Sequence, residues 1–237
     1  MKALLTGANS LVNGAMLDEL IEMGYLVTAH YHRENEITER LKKAYPKVEF
    51  VQANFEVQSE FEKFLKDIKS NETFDVIVNG AVYYAEAEND KNQQEWSEWQ
   101  KTFAVNTTAC GMLMAHARDL MNEGVIINIS STYSQKYMGD TQFTMYGASK
   151  AALDLLTENY AKKYYPNIRV VGIAPGWVKS AWNRDMSDVE IKEMVEPNRT
   201  KLIEPKNIAL LMRQLIENQD INATTVLIDS GLSSPVL

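Results

Sequence analysis

A tyrosine and a lysine four residues apart are the residues of this sequence best suited to chemistry. Tyr146 and Lys150 lie in residues 145–163, whose pattern predicts a helix, and the spacing places both side chains on one helix face. A phenol has an ordinary pKa near ~10, so it is a poor base at neutral pH unless a cation stabilises the phenolate. With Lys150 as that cation, Tyr146 would act as a general acid or base, although this spacing also occurs by chance on helix surfaces.

A serine at the end of a strand could bring a substrate to this phenol. Ser131 follows residues 125–130, the clearest buried strand pattern of the chain. Its hydroxyl could hold a carbonyl or hydroxyl group beside Tyr146. Proton transfer coupled to hydride transfer needs such an arrangement, so these residues together predict a redox reaction at a carbon–oxygen bond.

A glycine turn near the start of the chain indicates a nucleotide phosphate site. Gly7 follows the first predicted strand, and Gly14 opens the first predicted helix. A turn from a strand into a helix offers backbone N–H groups and the positive end of a helix dipole to a pyrophosphate. Taken alone the indication is weak, because the turn lacks the full G-x-G-x-x-G pattern and glycine turns also arise for steric reasons.

Strand and helix patterns alternate along the whole chain and would position these residues. The predicted strands are residues 3–6, 26–31, 48–53, 76–79, 125–130, 168–174 and 225–228. Five predicted helices are residues 14–23, 36–44, 95–122, 145–163 and 205–218, the last of which begins at Pro205. A further helix is predicted to begin at a capping pair of Ser59 and Glu62 and to run to about residue 69. Short strands that are apolar on both faces are typical of parallel sheets covered by helices. The pattern predicts a single-domain α/β fold over residues 1–237, with a doubly wound Rossmann-type parallel sheet of about seven strands and helices on both faces.

Composition narrows the class of protein further. The chain has 237 residues, of which 45% are apolar and 24% charged, and its formal net charge is -8 without a basic tract. An acidic surface repels phosphate backbones, so we expect no nucleic-acid partner. We find no signal peptide and no apolar run long enough to span a bilayer, so we expect a cytoplasmic protein without a membrane partner. The single cysteine, Cys110, cannot form an internal disulfide and is interpreted as a core residue, and we predict no metal site.

Five short motifs follow one another along the chain. They read Val78-Asn79-Gly80-Ala81, Phe103-Ala104-Val105-Asn106, Asn128-Ile129-Ser130-Ser131, Tyr146-Gly147-Ala148-Ser149-Lys150 and Ala174-Pro175-Gly176-Trp177-Val178. In this order they resemble the classical short-chain dehydrogenase/reductase family, and Ile228-Asp229-Ser230-Gly231-Leu232 is similar to the closing motif of that family. The resemblance covers about residues 3–232, which makes it far more specific than any one motif.

The resemblance implies a catalytic role for four residues. Tyr146 would be the acid/base, and Lys150 would lower its pKa and bind the hydroxyls of the nicotinamide ribose. Ser131 would orient the substrate carbonyl, and Asn106 would fix a water that passes protons to Lys150. The alternative for Asn106 is a polar residue that merely breaks a buried helix, but an unsatisfied buried amide is costly without a role.

The resemblance also implies a set of residues along a nicotinamide dinucleotide. Asn79 would lie near the adenosine ribose, the backbone of residues 175–178 would face the nicotinamide, and Ser180 would contact a phosphate or the carboxamide. The expected cofactor-binding residues are Gly7, Asn9, Ser10, Leu11, His32, Arg33, Asn54, Asn79, Gly80, Ala81, Tyr146, Lys150, Pro175, Gly176, Val178 and Ser180.

The phosphate turn departs from the family pattern at two positions. Leu11 and Asn13 stand where the family usually has its second and third glycines. A side chain at Leu11 could crowd the phosphates, whereas Asn13 is a milder change because asparagine tolerates unusual φ angles, and Gly14 could relax the turn. The second glycine is also absent from some active relatives, the pteridine reductases among them. We therefore expect weakened or rearranged phosphate contact but not a loss of binding.

The end of the second predicted strand indicates which cofactor binds. His32 and Arg33 stand near the expected adenosine ribose, and no acidic residue separates that strand from Glu34. NAD enzymes place an acidic residue here and NADP enzymes a basic one, and arginine suits a phosphate, so we expect NADP(H), with NAD(H) as the alternative. The run from His30 to Arg33 also resembles the cofactor loop of pteridine reductases, although it could be a solvated turn without contacts. Asn54 stands where the family often has an aspartate near the adenine.

Two segments could shape the substrate site. They are the loop 132–144, slightly longer than is usual in the family, with Tyr133, Tyr137, Met138 and Phe143, and the segment 180–199 after Trp177, with Trp182, Met186 and Met194. Methionines and aromatic rings suit a lid over an apolar or planar substrate, so we expect a lid at about residues 180–200. The alternatives are a loop that packs on its own aromatic rings and a surface helical hairpin.

Three hypotheses of function follow. The first is an NADP(H)-dependent oxidoreductase that acts on a small-molecule carbonyl or alcohol. The second is a catalytically silent NADP(H)-binding protein, regulatory or a partner subunit, with an eroded phosphate turn. The third is a structural α/β domain that binds no nucleotide. The substrate stays open among a 3-oxoacyl thioester, a small ketone, a sugar and a pterin, and the resemblance implies a homodimer or homotetramer that pairs through the two long predicted helices.

Overall fold

A seven-stranded parallel sheet forms the centre of the protein. The computed structural model describes residues 1–69, 73–84, 95–135, 142–180 and 183–234. The strands are β1 (Lys2–Leu5), β2 (Leu26–Tyr31), β3 (Glu49–Gln52), β4 (Val76–Asn79), β5 (Gly124–Ile129), β6 (Ile168–Pro175) and β7 (Thr225–Ile228). They stand in the order β3-β2-β1-β4-β5-β6-β7, and all neighbours are parallel. The predicted doubly wound sheet is confirmed, and its order reverses between β1 and β4, where such sheets bind ligands.

Helices cover both faces of the sheet, as predicted. They are α1 (Leu11–Glu22), α2 (Glu36–Ala44), α3 (Gln58–Lys69), α4 (Trp96–Phe103), α5 (Cys110–Ala115), α6 (Ala117–Leu120), α7 (Thr144–Tyr164), α8 (Asp188–Val195) and α9 (Pro205–Glu217). Phe64 of α3 and Leu153 of α7 pack with Leu4 in the core of one face. Leu17 of α1 and Met212 of α9 pack in the core of the other. Alternate strand residues feed the two cores, which accounts for strands that are apolar on both faces.

The predicted capping pair of Ser59 and Glu62 is wrong. Helix α3 begins at Gln58, so Ser59 lies inside its first turn. Glu60 reaches back instead, and its Oε2 accepts a hydrogen bond from the backbone N–H of Asn54 at 2.8 Å. The helix start is thereby tied to the residue that follows Ala53 at the edge of the cofactor crevice.

The segment in which a lid was expected, residues 180–199, contains the helix α8. A capping box opens it: Ser187 Oγ accepts a hydrogen bond from the N–H of Glu190, and the Glu190 carboxylate accepts one from the N–H of Ser187 at 2.7 Å. Every side chain of α8 is at least partly exposed. The helix therefore lacks the apolar periodicity from which it could have been predicted.

The long helix predicted over residues 95–122 is interrupted. A π-helical turn, Ala104–Ala109, separates α4 from α5, and His116 separates α5 from α6. Such wide turns often stand at functional sites, and this one contains Asn106. Among the described residues, no helix combines the length and apolarity needed to cross a membrane.

Candidate active site

A cavity lies in the crevice between β1 and β4 and extends over the end of β2. Seven expected cofactor-binding residues line it, namely Gly7, Asn9, Ser10, His32, Asn54, Gly80 and Ala81. Its wall also includes residues that the sequence did not assign to the cofactor: Asn13, His30, Phe55, Glu56, Val82, Tyr83 and Val105. Of the described residues expected at this end of the cofactor, Leu11, Arg33 and Asn79 lie outside the lining.

The phosphate turn has the shape that a phosphate group requires. Gly7 has a φ of +73°, and a Cβ there would lie 2.7 Å from the Cα of Ala81, so only glycine fits. Ser10 caps α1, and its Oγ accepts a hydrogen bond from the N–H of Asn13 at 3.1 Å. Helix α1 begins directly after this turn, so its positive dipole end and the N–H groups of its first turn not used by Ser10 lie close to the carboxyl end of β1. The residues present fit a nucleotide phosphate.

Asn13 does something other than adopt an unusual φ. Its residue is helical and 3% exposed, and its Nδ2 donates hydrogen bonds to the carbonyl oxygens of Gly7 at 2.7 Å and Gly80 at 2.8 Å. The expected reason for its tolerance is thus wrong, because the side chain is a structural link between two loops. Leu11 is the first, partly exposed residue of α1.

His30 is a part of the site that sequence reasoning missed. Its side chain is 2% exposed, and its ring stacks on Phe55 at 3.9 Å between centroids. Nδ1 accepts a hydrogen bond from the N–H of Gly7 at 3.1 Å, so the ring hydrogen belongs on Nε2, which donates to the carbonyl of Ala53 at 2.9 Å. Burial lowers the pKa of His30 to about 4. A polar residue inside a buried strand was the available signal.

The basic residues expected at the adenosine ribose lie at the end of β2. His32 is half-buried in the cavity wall, and Arg33 is exposed beside it. The side-chain amide of Asn9 donates a hydrogen bond to the carbonyl oxygen of Arg33 at 2.9 Å. The phosphate turn and the basic pair are therefore in direct contact.

The nearest carboxylate of that loop is held by other groups. Glu34 accepts hydrogen bonds from Lys42 and, at 2.8 Å, from the hydroxyl of Tyr31. The bond from Lys42, followed by that from Tyr31, lowers the pKa of Glu34. Strand alternation puts Tyr31 on the opposite face from His30 and His32. Glu34 is thus directed toward α2.

Asn79 lies inside the sheet. Its side chain is 1% exposed, and its Nδ2 donates a hydrogen bond to Asn128 Oδ1 at 2.7 Å. Asn128 in turn donates to Thr157 Oγ1 at 2.8 Å. The Asn79 side chain thus links β4, β5 and α7 and lies outside the cavity lining, and its expected position near the adenosine ribose stays a prediction. Asn54 does line the cavity, with its Oδ1 accepting a hydrogen bond from the N–H of Glu56 at 2.9 Å.

Lys150 is buried at the corner where β5 ends and α7 begins. It is 1% exposed, and its Nζ donates a hydrogen bond to the carbonyl oxygen of Ile129 at 2.8 Å. The same atom lies 5.8 Å from the centre of the Tyr146 ring. Burial lowers the pKa of Lys150 to about 8, against the opposing effect of nearby Cys110 and Asp154. The ammonium group therefore stays mostly charged at neutral pH while its proton is comparatively easy to remove.

Ser131 begins a short 3-10 turn, Thr132–Ser134, that packs against α7. Its Oγ accepts a hydrogen bond from the N–H of Tyr133 at 3.3 Å, and the Tyr133 ring lies 6.4 Å from that of Tyr146, edge to face. A Cβ at Gly147 would lie 2.8 Å from the Tyr133 carbonyl oxygen. This close approach brings the turn of Ser131 against the helix of Tyr146.

Asn106 is enclosed by the protein. Its Oδ1 accepts a hydrogen bond from the N–H of Tyr83 at 2.8 Å, and its Nδ2 donates to the Tyr83 carbonyl at 2.8 Å and to Ser149 Oγ at 3.0 Å. Both amide hydrogens are therefore in use. A water linked to Lys150 would have to bind mainly through the backbone of this residue. The side chain instead joins the loop after β4 to α7.

The loop after β6 is held by the side chain of Asn183, a residue that the sequence analysis did not select. Asn183 accepts a hydrogen bond from the N–H of Ser180 at 3.0 Å and donates one to the carbonyl of Val178 at 2.9 Å. At Gly176, next to Pro175, a Cβ would lie 2.9 Å from the Cα of Asp229. The expected nicotinamide loop is thus pressed against the closing motif of the chain.

The structure describes only some of the residues that were predicted to shape the substrate site. The residues outside the described ranges are Tyr137, Met138 and Trp182. The rings of Tyr133 and Phe143 are described and lie 4.9 Å apart. Cys110 is buried, and burial raises the pKa of its thiol to about 11, which suits a core residue. Among the described residues, no group of three or more His, Cys, Asp or Glu side chains could hold a metal ion.

The fold and the site define a Rossmann-type oxidoreductase with a nucleotide-binding crevice. The chain belongs to the short-chain dehydrogenase family, because the family model described as short chain dehydrogenase matches residues 1–190.

Three known proteins match this chain over nearly its whole length. 3beta-hydroxysteroid dehydrogenase 1 of Eggerthella lenta is 26% identical over 97% of this chain and 92% of its own. A short chain dehydrogenase of Burkholderia cenocepacia J2315, solved in complex with NADP, has a TM-score of 0.85 and 22% identity over 98% of each chain. A 4-hydroxyisoleucine dehydrogenase mutant complexed with NADH and succinate has a TM-score of 0.87 and 22% identity over 99% of each chain. At this identity the two structures show a shared fold.

Proposed function

We propose that this protein is an NADP(H)-dependent oxidoreductase that transfers hydride between the nicotinamide and a small carbonyl or alcohol substrate, with Tyr146 as the acid/base. The observation that carries the proposal is the corner between β5 and α7. There Lys150 is buried with a lowered pKa one helical turn from Tyr146, and Ser131 stands at the adjoining strand end. Family membership and the NADP- and NADH-bound neighbours support a nicotinamide cofactor.

The residues that would hold the cofactor follow the crevice. The N–H groups at the start of α1 would bind the pyrophosphate, and Asn54 with its neighbour Phe55 would contact the adenine. Lys150 and the loop from Pro175 would adjoin the nicotinamide riboside. A bound nicotinamide supplies or accepts the hydride.

Three residues of the chain would transfer the proton and orient the substrate. In reduction Tyr146 donates its phenolic proton to the substrate oxygen, and in oxidation it accepts one. The charge of Lys150 favours the phenolate and so lowers the pKa of Tyr146. The Ser131 hydroxyl orients the substrate oxygen by a hydrogen bond.

Preference for NADP(H) is supported by charge at the end of β2. His32 lies in the cavity wall and Arg33 is the exposed residue next to it, so a 2′-phosphate would gain a basic partner there. Glu34, the nearest acidic residue of the loop, is engaged by Lys42 and Tyr31. A ribose 2′-hydroxyl would therefore lack its usual carboxylate acceptor there.

The test is Tyr146→Phe, with Tyr160→Phe as a matched control on the same helix. We expect Tyr146→Phe to lower kcat/KM by about 10²–10⁴, the range for a lost general acid/base, while the Kd for NADPH changes little. Turnover is measured as NADPH oxidation with a panel of ketones, quinones and pterins. Full activity in Tyr146→Phe would contradict the assignment, and NADPH binding without any oxidation by the wild-type protein would favour a catalytically silent binder.

We also propose that the protein is a homodimer or homotetramer that pairs through α4, α5 and α7. Large apolar side chains on these helices support the proposal, because Met112 is 38% exposed and Leu155 is 60% exposed. Light scattering should give the mass of two or four chains. A monomeric mass across micromolar concentrations would contradict it.

A further inference from the structure

The two backbone polar groups of Gly7 are both held by buried side chains. His30 Nδ1 accepts a hydrogen bond from its N–H at 3.1 Å, and Asn13 Nδ2 donates one to its carbonyl oxygen at 2.7 Å. His30 is 2% exposed and Asn13 is 3% exposed. Bonds at such burial are costly to leave unmade. The conformation of the Gly7 peptide groups is therefore strongly determined.

Each of these side chains also reaches a second loop of the crevice. The other amide hydrogen of Asn13 goes to the carbonyl of Gly80 at 2.8 Å, after β4. Nε2 of His30 donates to the carbonyl of Ala53 at 2.9 Å, after β3. The loops that follow β1, β3 and β4 thus meet at Gly7 through two side chains.

Gly7 has a positive φ of +73°, so these hydrogen bonds hold a backbone conformation that is accessible mainly to glycine. A glycine loses more conformational freedom than any other residue when it is ordered, so a free turn would have to be ordered on binding. A turn that is already held avoids that cost and binds more tightly.

We propose that Asn13 and His30 are positioning residues that hold Gly7, and with it the N–H groups of the phosphate turn, in the conformation that binds the cofactor phosphates. The inference rests on the proposed function. It explains how the turn keeps its shape with Leu11 and Asn13 where glycines were expected. Asn13, at the position of the expected third glycine, links Gly7 and Gly80 through its side chain while its own backbone is helical.

A matched pair of substitutions separates the two bonds of His30. The side-chain oxygen of His30→Asn can occupy the place of Nδ1 and keep the bond with Gly7, whereas His30→Gln can reach Ala53 in place of Nε2. Both variants lose the ring stack on Phe55. Asn13→Asp removes both amide hydrogens in a side chain of equal size, and Asn13→Gly removes the side chain.

The measurement is the Kd for NADPH, by calorimetry on the cofactor-free protein, together with kcat at saturating NADPH. We expect His30→Gln, Asn13→Asp and Asn13→Gly to raise the Kd about tenfold, the effect of the lost buried bond to Gly7, and His30→Asn, which keeps that bond, to stay within about threefold. The kcat at saturation should stay within about twofold of wild type, because the catalytic corner is untouched. Leu20→Val, a core truncation on α1, should lower the Tm without changing the Kd.

Equal Kd values for His30→Asn and His30→Gln, or a wild-type Kd in Asn13→Asp and Asn13→Gly, would overturn the inference while leaving the proposed function in place. Failure of the wild-type protein to bind NADPH or NADH would overturn both. If a His30 variant does not fold, the two Asn13 variants still decide between these results.

Discussion

The phosphate turn and the catalytic corner are both held by bonds between side chains and backbone, but with the roles reversed. At the turn, Asn13 and His30 hold the backbone of Gly7, which precedes the N–H groups at the start of α1 that would meet the cofactor. At the corner, a backbone carbonyl, that of Ile129, holds the side chain of Lys150. The ligand-facing groups are backbone atoms in one region and side chains in the other. Substitutions at the turn should therefore change affinity, and substitutions at the corner should change rate.

The largest effect is expected at the corner, from Lys150→Met. We expect kcat at saturating NADPH to fall by about 10²–10⁴, because the phenolate of Tyr146 loses the cation that stabilises it. Methionine fills a comparable volume without a buried charge, so the fold should persist. Lys162→Met, in the exposed last turn of the same helix, is the control. A loss confined to the Kd for NADPH, with kcat intact, would erase the distinction between the two regions.

A smaller effect should separate the regions by pH. Burial lowers the pKa of His30 from 6.5 to about 4 and that of Lys150 from 10.5 to about 8. Between its two values each base binds fewer protons in the folded than in the unfolded chain, so the free energy of unfolding rises with pH there. We expect stability at the turn to be lost as the pH falls from 6.5 to about 4. Stability at the corner should increase as the pH rises from about 8 to 10.5.

These two intervals can be measured by denaturant unfolding of the wild-type protein beside His30→Asn and Lys150→Met across the pH range. Each difference in unfolding free energy should vary only in its own interval. A difference that is flat across both intervals would show that the two bases do not carry these protonation effects.

The smallest effect is expected from Lys42→Met, which tests whether Glu34 influences the choice between NADPH and NADH. The substitution frees one hydrogen bond on Glu34, so the ratio of NADH to NADPH dissociation constants should fall by about two- to threefold, as for an exposed ion pair. Lys43→Met, its exposed neighbour on α2, is the control. An equal ratio in both variants would mean that Glu34 does not influence cofactor choice.

Most of the fold could be predicted from local pattern, because buried parallel strands and their helices each carry their own signal. The ends of the predicted strands differ from the observed ones by at most one residue, and the α/β order follows from their alternation. The bonds of Asn13 could not be predicted, since Gly80 is 67 residues away and only the folded sheet brings the two together. For His30 the sequence offered only a polar residue inside a buried strand, because its partners Gly7 and Ala53 lie 23 residues away on other loops.

The proposed catalytic residues could be selected from the sequence because helical spacing and strand ends are local features. The spacing of these residues does not show which hydrogen bonds their side chains make. Asn106 illustrates the limit: its amide is committed to Tyr83 and Ser149, and its π-helical turn interrupts a stretch whose composition reads as continuous helix.

The two ends of the segment that carries α8 are hydrogen-bonded to each other. Val178 pairs with Ile203 in a parallel bridge, with Lys179 N–H donating to the Ile203 carbonyl at 2.9 Å and Ile203 N–H donating to the Trp177 carbonyl at 2.9 Å. Every side chain of α8 remains at least partly in solvent. A loop whose two ends are hydrogen-bonded to each other and whose side chains contribute little to the core can be replaced without disturbing the sheet. We expect residues 184–199 to be exchangeable with the corresponding residues of another family member, so that substrate selectivity can change while Ser180, Asn183, the sheet and the proposed proton-transfer corner stay the same.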